Sequence, residues 1–401
     1  MSTPDEKLMQ KPTGSRTGVY AAVAIVVVVV LLIVVGWQAG WFSPKPSPTP
    51  QVGPPGACVP PSPAAISGAG SSFVYPLMFT WAAAYQHSTV AFGSVGSGTG
   101  ISYLNLTTVD FAASDAPLSP AQQAQPGLHR GVVTIPETAG AVSIIYNLPG
   151  LAAKVNFSGT ILANIYLGTI TTWDDPQLQA ANPGVTMPSQ PITVVERLDG
   201  SGTTFAFTDF LSKSSSTWAS GPGKATTVTW PTGVQQKGSG GVSSFVIGTP
   251  YTIGYVDLSY ALTNGIAYGA VKNPSGANIL PTLANSLSAV VDGASNLPVG
   301  NAEPDWYNVS LINQAGAGDY PITTFSYLMV YASLDGAYGS GFDLNKAENL
   351  VNFLNWTLTY GQADSGQLYY VPLPANVVTA SQASLKLITY GGAPVPICTQ
   401  A

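Results

Sequence analysis

Hydrophobic positions fall into two regimes along the chain. From Thr17 to Trp37 they run almost unbroken, with VAIVVVVVLLIVV over Val23–Val35. An apolar run of about 20 residues has the length of a bilayer-spanning helix. Lys7, Lys11 and Arg16 precede it and Lys45 follows, so the positive-inside rule predicts a cytoplasmic N-terminus. Trp37 and Trp41 stand where an interfacial aromatic belt would lie. A cleaved signal peptide is the competing reading, but the run is long for one and no small-residue cleavage site follows closely. From Ile66 onward, short apolar runs alternate with amphipathic stretches, which predicts an α/β fold. Leu77, Trp81 and Tyr85 recur at helical spacing, and 161–166, 207–211 and 347–359 also predict helices. Buried strands are predicted over 90–92, 109–112, 141–146, 192–195, 253–256 and 325–331.

Composition sharpens this division. Nine prolines lie between Ser43 and Ala64, a density that favours an extended, semi-rigid spacer. The predicted organisation is a cytoplasmic tail (1–16), a transmembrane anchor (17–42), a Pro-rich stalk (43–64) and an extracellular head. Apolar residues make up 45% of the chain and charged ones only 8%, enough for a core but with a weakly charged surface. The balance of 13 basic against 19 acidic residues contains no basic stripe, which argues against a nucleic-acid partner. Cys58 and Cys398 flank the head, and in an oxidising compartment such a pair predicts a disulfide. Two His and two distant Cys do not make a metal site, and no cofactor motif is present. Asn105, Asn156, Asn308 and Asn355 begin glycosylation sequons, which also occur by chance.

The chemistry concentrates in four small-residue loops. Gly68-Ala-Gly-Ser-Ser-Phe73 precedes one predicted helix, and Gly96-Ser-Gly-Thr-Gly100 precedes Ile101 and Leu104. Asp110-Phe-Ala-Ala-Ser-Asp115 ends a strand and leads to Ser119-Pro120, a helix-start signal. Asp199-Gly-Ser-Gly-Thr203 opens the helix carrying Phe207. Such loops present backbone N–H groups at helix N-termini, a geometry suited to anions. Ser72, Ser97, Ser201 and Thr203 add hydroxyls, and Arg197 can pair bidentately with an oxyanion. No loop fits a nucleotide motif.

The segments GAGSSFVYPLMFTWAAAY, GSVGSGTGI, VDFAASDAPLS, IYLGTITTWDDPQLQAANPGV and ITVVERLDGSGTTFAFTDFLSK resemble, in order and spacing, the phosphate-binding receptors of bacterial and archaeal phosphate importers. IGYVDLSYAL and NFLNWTLTYGQ continue the likeness, which spans Ile66 to Ile388. The resemblance implies a two-lobed periplasmic-binding-protein (type II) fold with two hinge strands. One lobe would hold 65–143 and 325–401, the other 144–324; both termini of the head, and so Cys58 and Cys398, would meet in one lobe. It further implies phosphate contacts from Ser72, Phe73, Ser97, Asp115, Arg197, Ser201, Gly202 and Thr203, with Asp199 orienting Arg197. Ser72 replaces the family's usual Thr, and SGTG stands where SSGG or SGGG is common. The implied function is extracellular capture of phosphate by a monomeric, non-enzymatic head and delivery to ABC-transporter permease subunits. Arsenate or sulfate is the alternative ligand. A serine hydrolase using Ser97 or Ser201 with His87 or His129 is a distant rival, since no G-x-S-x-G elbow is present.

Overall fold

The computed structural model describes residues 62–298 and 304–397. The predicted anchor, most of the stalk, and Cys58 and Cys398 lie outside these residues. Among the described residues no helix is long and apolar enough to cross a membrane. The last three residues assigned to the stalk already belong to the head: the Ser62 carbonyl accepts from Asn349 Nδ2 at 2.8 Å, and the Ala64 N–H donates to Ser88 Oγ at 3.2 Å.

The strands that carry the site are β1 (Ala65–Gly70), β2 (Thr89–Ser94), β3 (Phe111–Ser114), β4 (Val132–Asn147), β5 (Thr193–Arg197), β6 (Val234–Gln236), β7 (Thr252–Asp257) and β8 (Thr323–Tyr331). They form one curled mixed sheet in the order β2-β1-β3-β8-β4-β7-β5-β6. Pairing is parallel for β2-β1-β3 and for β7-β5-β6. The middle of the sheet, β3-β8-β4-β7, is antiparallel. Parallel strands at both ends with helical crossovers are the alternation read from the sequence.

The helices include α1 (Tyr75–Ala84), α2 (Ser97–Asn105), α3 (Gly159–Tyr166), α4 (Gly202–Ser214), α5 (Gly238–Gly248), α6 (Leu258–Thr263), α7 (Leu344–Leu358) and α8 (Ala375–Leu385). Helix α1 buries Leu77, Met78 and Trp81, the face its spacing predicted. Behind α4, Phe207 stacks on Tyr255 with ring centroids 4.4 Å apart, and Tyr166 meets Phe207 edge-on at 4.8 Å. These aromatic contacts fix the start of α4 against β7 and α3.

Strand β4 joins the two halves. Residues Val132–Ala141 pair with β8, and Val142–Asn147 pair with β7. The sequence pattern placed a strand only over 141–146, because Pro136, Glu137 and Thr138 interrupt the apolar run. In the structure the register slips there: Ser326 faces Thr138 while Tyr327 faces Pro136, so Glu137 is the extra residue of a β-bulge. A bulge tolerates Pro and re-aims a side chain, and here it turns a carboxylate into the interior. The other predicted strands are present within a few residues of their expected bounds. The sequon residue Asn355 is buried and its side chain accepts from Gln382 at 3.3 Å, so it is not a surface acceptor.

Candidate functional site

The C-terminal ends of the parallel strands set the site. Strand β1 delivers Ser71, Ser72 and Phe73; β3 delivers Asp115; β5 delivers Arg197 and the loop to α4. The structure brings all four loops together. Ser97, first residue of α2, accepts from the Gly202 N–H at 3.1 Å, while the Asp115 N–H lies 3.4 Å from the same oxygen. The Gly98 N–H donates to the Gly200 carbonyl at 2.8 Å. The starts of α2 and α4 therefore touch, with Asp115 against both.

Two glycines are required by this approach. A Cβ on Gly202 would lie 2.6 Å from both the backbone nitrogen and the Cβ of Asp115. Gly96 has φ +91°, and a Cβ there would meet Asp199 Oδ2 at 2.1 Å.

Arg197 is 4% exposed and is the cation at the centre. Its Nε and Nη2 donate to Asp199 Oδ1 and Oδ2 at 2.9 and 2.5 Å, a bidentate pair that fixes the guanidinium plane. Burial works against ionisation of Asp199, but the hydrogen bonds and charge of Arg197, with the Gly238 N–H, hold its carboxyl below the usual range.

Asp115 is 1% exposed. Both its oxygens accept from Ser71 Oγ at 2.7 Å, and Thr203 Oγ1 lies 3.4 Å from Oδ2. Burial pushes its pKa up to about 6, against the opposing pull of Ser71, Arg197, Ser326 and Thr203. Near neutral pH it is an acceptor without a proton of its own. Beside Arg197 and two sets of helix-start N–H donors, the site can hold an oxyanion and also receive a hydrogen bond from one.

Not every expected residue plays an equal part. Ser201 Oγ caps α4 by accepting from the Thr204 N–H at 3.1 Å. The Ser72 hydroxyl accepts from the Ser239 N–H at 3.0 Å, so it ties the first loop to the start of α5. Phe73 contributes a buried ring and a carbonyl that accepts from Tyr370 Oη at 2.6 Å. The third loop does not open a long helix: Ser119 and Gln122 form a capping box, but the helix that follows, Pro120–Gln123, has four residues. That loop supplies a carboxylate rather than a helix dipole.

Sequence reading missed three features. Ser71, not Ser72, makes the direct contact to Asp115. Lys237-Gly-Ser-Gly-Gly241 is a fifth small-residue helix start, whose Gly238 N–H donates to Asp199 Oδ1 at 2.9 Å; its composition matched the other four loops and could have found it. Glu137 and Asp257 are further buried carboxyls, and their burial carried no sequence signal. Burial holds the Asp257 carboxyl well above the usual range. Neither His87 nor His129 contacts Ser97 or Ser201: the His87 ring packs on Tyr85 at 5.6 Å.

A family model described as a PBP superfamily domain matches residues 57–359. The chain is 38% identical over 322 residues to the phosphate-binding protein PstS of Xylella fastidiosa, covering 79% of this chain and 84% of that protein. It is 32% identical to PstS of Methanocaldococcus jannaschii, covering 82% and 87% respectively. Its fold is similar to the crystal structure of a phosphate binding protein from Stenotrophomonas maltophilia, with TM-score 0.61, 21% identity, and coverage of 80% and 93%.

Proposed function

The chain belongs to the PBP superfamily and, within it, to the phosphate-binding PstS proteins; from that premise we propose that it captures inorganic phosphate among the four loops and delivers it to an ABC transporter. It is a binding protein and not an enzyme. One observation carries the location of the site: Asp115 lies against the touching starts of α2 and α4, within reach of the charge of Arg197, which Asp199 fixes.

In this reading Arg197 supplies the charge, and N–H groups at the starts of α2 and α4 supply donors to phosphate oxygens. Ser72, Phe73, Ser97, Ser201, Gly202 and Thr203 complete the contacts through hydroxyls and backbone. Asp115 receives the hydrogen bond of a P–OH group, which phosphate near neutral pH has and sulfate lacks. The lobes divide at 143/144 and 324/325, in keeping with the change of partner along β4 between Ala141 and Val142. Membrane attachment through 17–42, the stalk, the Cys58–Cys398 bridge and the extracellular setting belong to the same proposal and rest on the sequence. A crystal structure with phosphate tests the assignment. Tetrahedral density bonded to the Arg197 guanidinium and Asp115 is expected, and density elsewhere in the head would overturn it.

A further inference from the structure

Glu137 has no part in the contacts described so far, yet its placement is costly. It is fully buried on β4, and the bulge aims its side chain inward. Oε1 accepts from Ser326 Oγ at 2.9 Å, while Oε2 has no hydrogen-bond partner among the described residues. An ionised carboxylate with a single donor in the interior is poorly satisfied, so the site favours the neutral acid.

Ser326 connects this group to the anion site: the antiparallel pairing of Tyr327 with Ser114 sets it beside Asp115 where β8 meets β3, and its hydroxyl helps to hold the Asp115 pKa down. That hydroxyl has one proton to give. When Glu137 is ionised, the Ser326 proton goes to Oε1. When Glu137 is an acid, its O–H can donate to Ser326 Oγ, and the Ser326 proton turns to Asp115. We propose that Glu137 is a positioning residue of the phosphate site: its proton directs the Ser326 hydroxyl to Asp115, and its ionisation withdraws that donor, adds a charge behind Asp115 and weakens phosphate binding. This rests on the phosphate reading above.

The groups packed against Glu137 leave little else to control it. Asp115 faces it from the β3 end, and Ser326 and the neighbouring Tyr327 come from β8. Gln362 Nε2, a neutral donor, binds its backbone carbonyl at 2.9 Å. Burial, reinforced by the Asp115 charge and opposed by Ser326, pushes the Glu137 pKa up to about 8. The Tyr327 phenol is pushed well above its ordinary value by burial and by Asp115, so it stays neutral across the same range.

The test is the phosphate Kd of the full-length protein and of Glu137→Gln from pH 6 to 9.5. Phosphate titrates identically in both experiments, so the ratio of the two Kd values isolates Glu137. Relative to its value at pH 6, Kd(wild type)/Kd(Glu137→Gln) should rise about 10-fold by pH 9.5, the coupling equivalent to roughly one pKa unit. A ratio constant across the range overturns the role and leaves Glu137 a structural residue. If the variant does not fold, infrared titration of the buried carboxylic acid in wild type decides the matter. By reciprocity, bound phosphate must raise the Glu137 pKa; the same titration with and without phosphate contradicts the proposal. Wild type that binds no phosphate would overturn the function itself, whereas binding with a flat ratio overturns this role alone.

Discussion

Replacing Asp115 by Asn removes one charge from the wall of the site and keeps the side chain's shape. In wild type, a fully ionised sulfate oxygen opposite Asp115 sets two acceptors against each other in a place 1% exposed to solvent. An unmade hydrogen bond at such a site costs about 1–3 kcal/mol, and more when charge is involved. At about 1.4 kcal/mol per tenfold, that corresponds to roughly 5- to 150-fold discrimination. The amide of Asn can donate to sulfate, and its single carbonyl can still accept from a P–OH or from Ser71. Asp115→Asn should therefore tighten sulfate, weaken phosphate by a smaller factor, and narrow the preference by about 10- to 100-fold. Calorimetric titration of both proteins with both anions at pH 7.5 measures the change. An unaltered phosphate-to-sulfate ratio would show that Asp115 only holds its loop, because Asn can also accept from Ser71. The same logic gives a pH arm: since Asp115 has its pKa pushed up to about 6 by burial, wild-type exclusion of sulfate should relax as pH falls toward 5.

Arg197→Ala should cost about 2–5 kcal/mol of phosphate affinity and flatten its salt dependence, since the site loses its cation; Asp199→Asn should cost less, because the charge survives and only its orientation loosens. Equal phosphate affinity in wild type and Arg197→Ala would misplace the site. Gly202→Ala forces a Cβ to within 2.6 Å of Asp115, so the start of α4 must retreat; phosphate affinity should fall at least about tenfold, in line with the 1–3 kcal/mol of overpacking, and unchanged affinity would show that the approach is not needed. Asp115 and Glu137 have folded pKa values pushed up to about 6 and about 8. A group that binds its proton more tightly when folded contributes stability that is complete below the ordinary carboxylate range and is lost as pH rises through the folded value. The ligand-free protein should thus melt at a higher temperature near pH 4.5 than near pH 9, with a difference on the order of a few kcal/mol; a Tm maximum at pH 8 would contradict the raised values.

The loops of the site were legible because anion binding demands a local composition: small residues before a helix, with Arg197 and Asp199 close in sequence. Legibility failed where the determinant is tertiary. Ser71 and Ser72 are chemically identical neighbours, and only the folded loop after β1 decides that Ser71 meets Asp115 while Ser72 meets Ser239. The first half of β4 was hidden because Pro136 and Glu137 break the apolar pattern, and a bulge that accommodates both is set by the partner strand β8. Helix α5 begins Gly-Ser-Gly-Gly, a sequence of low helix propensity, and packing against β7 overrides that preference. The buried state of Glu137 and Asp257 has no local signature, since a carboxylate in the sequence is ordinarily read as surface.

A head that is a receptor selective for phosphate must distinguish that anion from sulfate in a single calorimetric experiment. Phosphate and sulfate are titrated separately into the same preparation at neutral pH. Saturable binding of one phosphate per chain is expected, with sulfate weaker by at least about fivefold. Absence of phosphate binding, or equal affinity for the two anions, would contradict it.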